Sequence, residues 1–467
     1  MTHALEGTTL RQRTAAAVAD PVLRARVAKA VDRFAGGRRR ALAELEDADG
    51  LRTAARSVRA EILADLPALL ERMADRVAEL GGHVCWAETA ADANAYVADV
   101  AQRAGARTVV KSKSMATEET GLNEALVAAG CRVVETDLGE WIIQLARETP
   151  SHIIAPALHH DRHSVLDVFR DEAAAPPDLS TVPEELNRFA RARLRAEFLA
   201  ADVGVSGVNF GVAETGSLVL VTNEGNGRMV TSLPRVHVAV MGMERVVATW
   251  DQLDLLLQLL PRSATGQRLS SYTSIITGPR REGEADGPEE LHLVILDNGR
   301  ADLLGTEFHE MLACIRCGAC LNVCPVYRQT GGHAYGWVYS GPMGAVLTPL
   351  LAHEHPEAAE VANASTLCGA CMDACPVQIP LQDLLLALRR RKAADASRPE
   401  RAGWRAWSAA WSSPAGYRTT TRAAAWARGL GRHANLLPGA SRWTDGREPP
   451  VPAAERFRDR WARGDVS

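Results

Sequence analysis

From about residue 9 to residue 80, apolar positions recur at helical spacing in an Ala-, Arg- and Leu-rich stretch, which predicts a run of helices. The last of these carries Ile62, Leu63, Leu66, Leu69, Leu70, Met73 and Val77 on one face, and Gly81-Gly82 offers its C-cap. That face reads as a cap packed on the next domain. Beyond residue 81 the period changes. His83–Ala87, Thr108–Val110, Cys131–Val134 and His152–Pro156 read as strands, with helical stretches over 96–105 and 115–130 between the first three. Strands alternating with helices of ten to fifteen residues indicate βαβ units and a mainly parallel sheet. A helix over 182–201 leads to the strands Ser217–Thr222 and Arg235–Met241, with a turn at Asn223–Gly227 between them. A charged loop, Arg280–Glu290, precedes the strand His292–Leu296. The expected organisation is a helical segment over 1–80, an α/β domain over 81–300, a cysteine-bearing module over 305–388 and a helical tail over 389–467.

Composition narrows the class. At 467 residues the chain holds two or three domains, and 46% hydrophobic with 24% charged residues is ordinary for a globular protein. A net charge of -4 gives no case for nucleic acid as a partner. No run of about 18 apolar residues occurs, and Met1–Asp20 is polar, so neither a membrane span nor a secretory signal is expected. The reading is cytoplasmic.

The chemistry sits in the cysteines. Seven of the nine fall in two short segments, Cys314-Ile-Arg-Cys317-Gly-Ala-Cys320-Leu-Asn-Val-Cys324-Pro325 and Cys368-Gly-Ala-Cys371-Met-Asp-Ala-Cys375-Pro376. C-x2-C-x2-C-x3-C-P is the bacterial ferredoxin spacing, whose fourth cysteine ligates the other cluster in two-cluster proteins. That rule gives one [4Fe–4S] cluster to Cys314, Cys317, Cys320 and Cys375, and three thiolates, Cys324, Cys368 and Cys371, to a second. Ser365 stands where the second motif's first cysteine is missing. The open corner has several candidates: Ser365, another non-cysteine group, a [3Fe–4S] centre, a solvent-open site, or a distant thiol such as Cys85 or Cys131. Structural zinc also uses C-x2-C pairs, but as two pairs and not as four thiols in one run capped by proline.

Elsewhere, Lys111, Lys113, Glu118 and Glu119 with Ser112, Ser114 and Thr117 cluster where a strand hands over to a helix. Open α/β sheets bind ligands there, and the site reads as anion-binding or as a capped helix start. Glu214 precedes an apolar strand and is a candidate cleft acid or a structural one. His159-His160, with His163 nearby, lacks a carboxylate partner in sequence and reads as ordinary histidines. The tail holds six of the ten tryptophans and, after residue 400, twelve arginines against five acids. Trp404, Trp407 and Trp411 share one helical face, a docking surface for a partner or for the protein itself, with an anionic membrane as the alternative. No G-x-G-x-x-G follows the first strands, so the chain lacks an obvious hydride acceptor.

Lys111-Ser-Lys-Ser-Met-Ala-Thr-Glu118, Glu135-Thr-Asp-Leu-Gly-Glu-Trp141, Ala213-Glu-Thr-Gly-Ser217, Tyr339-Ser-Gly-Pro-Met-Gly344, the cysteine motifs and the tryptophan-rich tail together resemble a known family, the iron–sulfur B components of bacterial lactate-utilisation complexes, over nearly the whole chain. The resemblance implies a LUD domain similar to the NagB/RpiA/CoA-transferase group, followed by a two-cluster ferredoxin module. It also implies work with subunits A and C in oxidising L-lactate to pyruvate. An enzyme whose LUD-like domain performs acyl-transfer or isomerase chemistry, with structural or redox-sensing clusters, is the alternative.

Overall fold

The α/β region is built on six parallel strands, in the order His83–Ala87, Glu290–Leu296, Val236–Gly242, Val203–Gly207, Thr108–Lys111 and Arg132–Glu135. In chain order the strands are β1 (His83–Ala87), β2 (Thr108–Lys111), β3 (Arg132–Glu135), β4 (Val203–Gly207), β5 (Phe210–Val212), β6 (Ser217–Thr222), β7 (Val236–Gly242), β8 (Val246–Val247), β9 (Tyr272–Ile276) and β10 (Glu290–Leu296). The structure is a computed structural model, and it describes residues 7–352, 354–428 and 451–465. All seven residues of β7 are buried, as a central strand covered on both faces requires. The remaining strands form a second, mixed sheet, β8-β5-β6-β9, in which β5 pairs antiparallel with β6 and parallel with β8.

Helices over Leu10–Ala19, Pro21–Ala43, Ala48–Ala64 and Leu66–Glu79 precede the sheet. Ile62, Leu66, Leu69, Leu70, Met73 and Val77 are buried in a core shared with β5, β6 and the cysteine module. The fourth helix ends in a Schellman motif: Gly82 N donates to Val77 O (2.9 Å), Gly81 N donates to Ala78 O (2.9 Å), and Gly81 takes the left-handed φ of 87°.

Two expected elements differ. His152–Pro156 is not a strand. The buried His152 ring accepts through Nδ1 from Ile154 N (3.0 Å) and Ala155 N (3.2 Å), so the side chain satisfies backbone donors that a sheet would have used. Pro156 has no donor to offer a ladder. The helix expected over 115–130 is two, Met115–Thr120 and Leu122–Ala128, divided at Gly121 with φ 67°.

The cysteine module is a set of short helices, among them Ala319–Asn322, Pro325–Thr330, Gly341–Leu351 and Ala370–Ala374, followed by Leu381–Ala394. The chain divides into two units, Met1–Arg390 and Arg391–Ser467. Among its described residues the second holds the helices Arg398–Trp411, Pro414–Trp426 and, later in the chain, Phe457–Ala462. Trp404, Trp407 and Trp411 pack ring to ring (5.9 and 5.7 Å), and Trp411 packs on Tyr417 (5.3 Å). The part of the tail over 429–450, with Trp443, lies outside the described residues.

Candidate cluster sites and the adjoining cleft

Cys314, Cys317, Cys320 and Cys375 line one small cavity with Ile153, Met311, Met343 and Ile379. Cys324, Cys368 and Cys371 line another with Ser365, Pro325 and Gln382. Each cavity therefore takes three positions from one motif and one cysteine from the other. Neither Cys85, in β1, nor Cys131, whose thiol faces Ala106 O, lines either cavity.

Ser365 occupies the backbone position in the second motif that Cys314 occupies in the first. Arg316 N donates to Cys314 Sγ at 3.4 Å, and Leu367 N donates to Ser365 Oγ at 3.1 Å. Arg316 and Leu367 both take positive φ, 58° and 57°, and the glycines that follow the next cysteine, Gly318 and Gly369, do the same at 73° and 85°. The two loops thus turn the same way around their cavities, with a hydroxyl oxygen at Ser365 where the first loop has the sulfur of Cys314. Arg389 holds Ser365 from behind by donating to its carbonyl (2.7 Å).

The donor set fits an iron–sulfur group. Backbone N–H groups point at sulfur from Tyr327 to Cys324 (3.5 Å) and from Ile379 to Cys375 (3.3 Å), as they do in the stabilisation of ligating thiolates. Burial pushes the free thiols of Cys371 and Cys375 up to about 11, and that of Cys320 upward too, so the thiolate form there calls for a cation. Arginines supply positive charge around the first cavity. The buried Arg59 donates to Leu312 O (3.0 Å), Ala313 O (3.2 Å) and Glu244 O (2.6 Å). Arg245 donates to Cys314 O (2.9 Å), and Arg52 to Cys375 O (3.0 Å) and Asp373 O (2.8 Å). Cys317, Cys320 and Cys375 of the first cavity are at 8% exposure or less and Cys314 is half-buried; Cys324 and Cys371 of the second are buried too, and Cys368 is exposed.

Beside the first cavity lies a cleft of about 580 Å³ at the carboxyl ends of β2, β3, β4 and β7. Ile153 lines both spaces. The cleft is walled by Lys113, Asp137, Glu224, Arg245, Arg316 and Tyr339, among others. Lys113 makes no ion pair or hydrogen bond among the described residues, and burial lowers its pKa against the pull of Asp137 and Glu140. Arg316 lies over the Tyr339 ring (4.7 Å) and reaches Glu244 (3.2 Å) with one nitrogen, while its Nη1 is buried with no partner among the described residues. Two cationic groups with unused donors thus face a space that opens next to Cys314.

Lys111 and Glu214 are placed elsewhere. Lys111 is fully buried between Glu118 (2.6 Å) and Glu135 (2.8 Å), its charge consumed in holding β2 to the following helix and to β3. Glu214 does not line the cleft; its carboxylate faces Trp250 N (3.4 Å) at a helix start. His163 is exposed.

Residues 70–296 match the LUD domain family, 310–379 the 4Fe-4S dicluster domain, and 386–465 the family of the lactate utilisation protein B C-terminal region. Lactate utilization protein B of Shouchella clausii is 48% identical over 450 residues, covering 94% of each chain. That of Bacillus subtilis is 45% identical over 468 residues, covering 98% of this chain and 96% of its own. The chain belongs to the lactate utilization protein B family. A solved DUF162 family protein from Deinococcus radiodurans aligns over 50% of this chain and 98% of its own, at 14% identity and a TM-score of 0.28. The dicluster match supports an iron–sulfur cofactor in this family member. No helix of the described residues is long and apolar enough to cross a membrane.

Of the cleft's cations, Lys113 belongs to the strand–helix cluster read from the sequence, whereas Arg245, Arg300 and Arg316 carry no motif in it. Arg316 lies between two cysteines, where it looks like motif filler, and the other two follow β7 and β10 without a motif. Asp137 was visible inside Glu135–Trp141, and Glu224 inside the Asn223–Gly227 turn.

Proposed function

We propose that this chain is the iron–sulfur electron-transfer subunit of a complex that oxidises L-lactate to pyruvate in the cytoplasm, together with two further subunits, A and C. The observation that carries the reading is the interleaving of the two motifs around two cavities. In this reading Cys314, Cys317, Cys320 and Cys375 hold one [4Fe–4S] cluster, and Cys324, Cys368 and Cys371 hold a second with Ser365 Oγ at the fourth corner. Such clusters, when bound, supply one-electron transfer. The chain's own part is to enclose the first site, bring the second to the surface at Cys368, and offset negative charge with Arg52, Arg59 and Arg245. Lys113 and Arg316 offer their free donors to a carboxylate in the cleft. The α/β domain takes the NagB/RpiA/CoA-transferase-like form, and the basic, tryptophan-rich tail docks on a partner subunit.

The test is the EPR spectrum and iron content of anaerobically purified protein. About eight irons per chain are expected if both clusters are complete. Ser365→Cys should change the signal of the second cluster and leave the first unaltered; a change in the first would show the ligand pairing to be wrong. Iron near zero with stoichiometric zinc would overturn the reading. Lactate-dependent reduction should require subunits A and C, and reduction by this chain alone would end the subunit assignment.

A further inference from the structure

One group of metal-ligating side chains is used neither by the cluster sites nor by the cleft. Glu148, His159 and His160 bring a carboxylate oxygen and two imidazole nitrogens within 4.8 Å of one another. His159 Nε2 stands 2.6 Å and His160 Nε2 3.0 Å from the same oxygen, Glu148 Oε2. The sequence shows the histidine pair but hides its carboxylate, which lies eleven residues upstream of His159.

The position of the three residues gives the convergence a purpose. Glu148 follows the helix Leu138–Ala146, whose end is turned by Arg147 in the left-handed region (φ 58°). His159 and His160 immediately precede Asp161, the N-cap of the helix Arg162–Glu172. Between them the chain forms neither helix nor strand, yet it supplies Ile153 to the wall of the first cysteine cavity and Ile153–Leu158 to the wall of the cleft. A long irregular segment that carries a binding wall needs its ends fixed.

We infer that Glu148, His159 and His160 bind a divalent ion of the zinc type, which clamps the two ends of the segment that separates the cleft from the first cysteine cavity. Two imidazoles and one carboxylate are a zinc ligand set, with ligand bonds of about 2.0–2.2 Å. Tetrahedral placement at those lengths sets ligand atoms about 3.3 Å apart, so the observed contacts need to open by less than about 1 Å. The outer shell is in place for one ligand: His160 Nδ1 lies 3.2 Å from Ser164 Oγ, which fixes the ring and leaves Nε2 for the ion. His159 is held by its carbonyl, which accepts from Arg26 Nη1 (2.9 Å). His333 of the cysteine module packs against the His159 ring (4.7 Å) and faces Thr149 O (2.7 Å) with Nε2, gripping the same segment from its other side. The imidazoles are nearly covered, at 10% and 11% exposure, while Glu148 at 37% leaves an approach for the ion and a position for water.

The experiment uses the full chain with its iron–sulfur sites loaded anaerobically, so that the cysteines are occupied. After chelation and desalting, Zn2+ is titrated calorimetrically, and bound zinc and iron are counted by mass spectrometry. The expected result is about one zinc per chain with iron unchanged. Affinity should fall tenfold or more in His160→Gln and Glu148→Gln, and by about tenfold in Ser164→Ala, which leaves all three ligands in place. Zinc should raise the thermal midpoint of the parent protein and not that of Glu148→Gln. No zinc uptake, equal uptake by the parent and both ligand variants, or uptake matched by iron loss would each overturn the inference, leaving Glu148 as a hydrogen-bonded acid only.

Discussion

At the scale of single residues, His152 shows how one side chain sets both a local shape and a pH dependence. It is 1% exposed, faces Asn322 Oδ1 through Nε2 (3.1 Å), and accepts two backbone N–H groups through Nδ1. Burial, aided by the charge on Lys113, lowers its pKa to about 3, and burial also takes that of His237 in β7 to about 3. The unfolded imidazoles titrate near 6.5. A depressed histidine costs no stability above pH 6.5, and its stabilising neutrality is lost as pH falls from 6.5 toward 3, because only the unfolded chain then takes up the proton. Each of the two should therefore remove up to about 1.4 kcal/mol per pH unit below 6.5. Urea midpoints at pH 7.5 and 5.5 check this: His152→Ala should lower the midpoint at pH 7.5 yet flatten the pH slope. An unchanged slope would show that His152 is not neutral in the folded state.

The elements were legible to very different degrees, and the reasons are physical. The strands of the parallel sheet announce themselves because burial on both faces demands continuous apolar runs, such as Val238–Met241 in β7 and Leu293–Leu296 in β10. The cysteine loops were readable because ligand spacing is local. The 152–156 segment has the apolar composition of a strand but not the hydrogen-bonding, since a histidine side chain takes its donors; composition does not record that. The cleft was least legible, because its cations arrive from β7, β10 and the cysteine loop and meet only in three dimensions. At the cysteine loops, the left-handed turns after Cys317 and Cys368 tolerate an added side chain poorly. At Gly318 (φ 73°) an added Cβ would lie 3.2 Å from Ile154 and 3.3 Å from His152. Gly318→Ala therefore meets the left-handed penalty of about 1–2 kcal/mol together with crowding from the 152–154 segment. The expected outcome is loss of iron from the first site with the second site's EPR signal retained, and loss from both would show the sites to be interdependent.

At the scale of the whole molecule, buried charge joins the α/β region to the cysteine module. Arg300, after β10, bonds Glu119 (2.7 Å) and Glu244 (2.8 Å); Glu244 also pairs with Arg316 (3.2 Å), and Glu119 accepts from Tyr339 Oη (2.7 Å). Glu119, Glu244 and Arg300 are each at 2% side-chain exposure or less. Breaking a buried pair strands its partner charge and costs about 3–5 kcal/mol. Glu244→Gln should lose stability on that order by denaturant titration. It should also disturb the first cluster's signal more than the second's, since Arg316 lies between Cys314 and Cys317.

The second unit calls for a different kind of prediction. Trp404, Trp407 and Trp411 are 63%, 53% and 47% exposed, and Trp426 is 90% exposed, in a stretch that carries many arginines and few acids. Aromatic side chains and arginine are the residue types enriched in protein interfaces, so the docking role proposed for the tail can be tested at this stripe. Hydrophobic anchors at such interfaces typically cost 2 kcal/mol or more when truncated, by order of magnitude about thirtyfold or more in affinity. Because the stripe packs on itself and on Tyr417 within its own unit, Trp407→Glu should leave iron content and both EPR signals unchanged. It should abolish co-purification with the partner subunits. If co-purification survives while binding to anionic vesicles is lost, the stripe serves a membrane surface, and the docking role assigned to the tail is wrong.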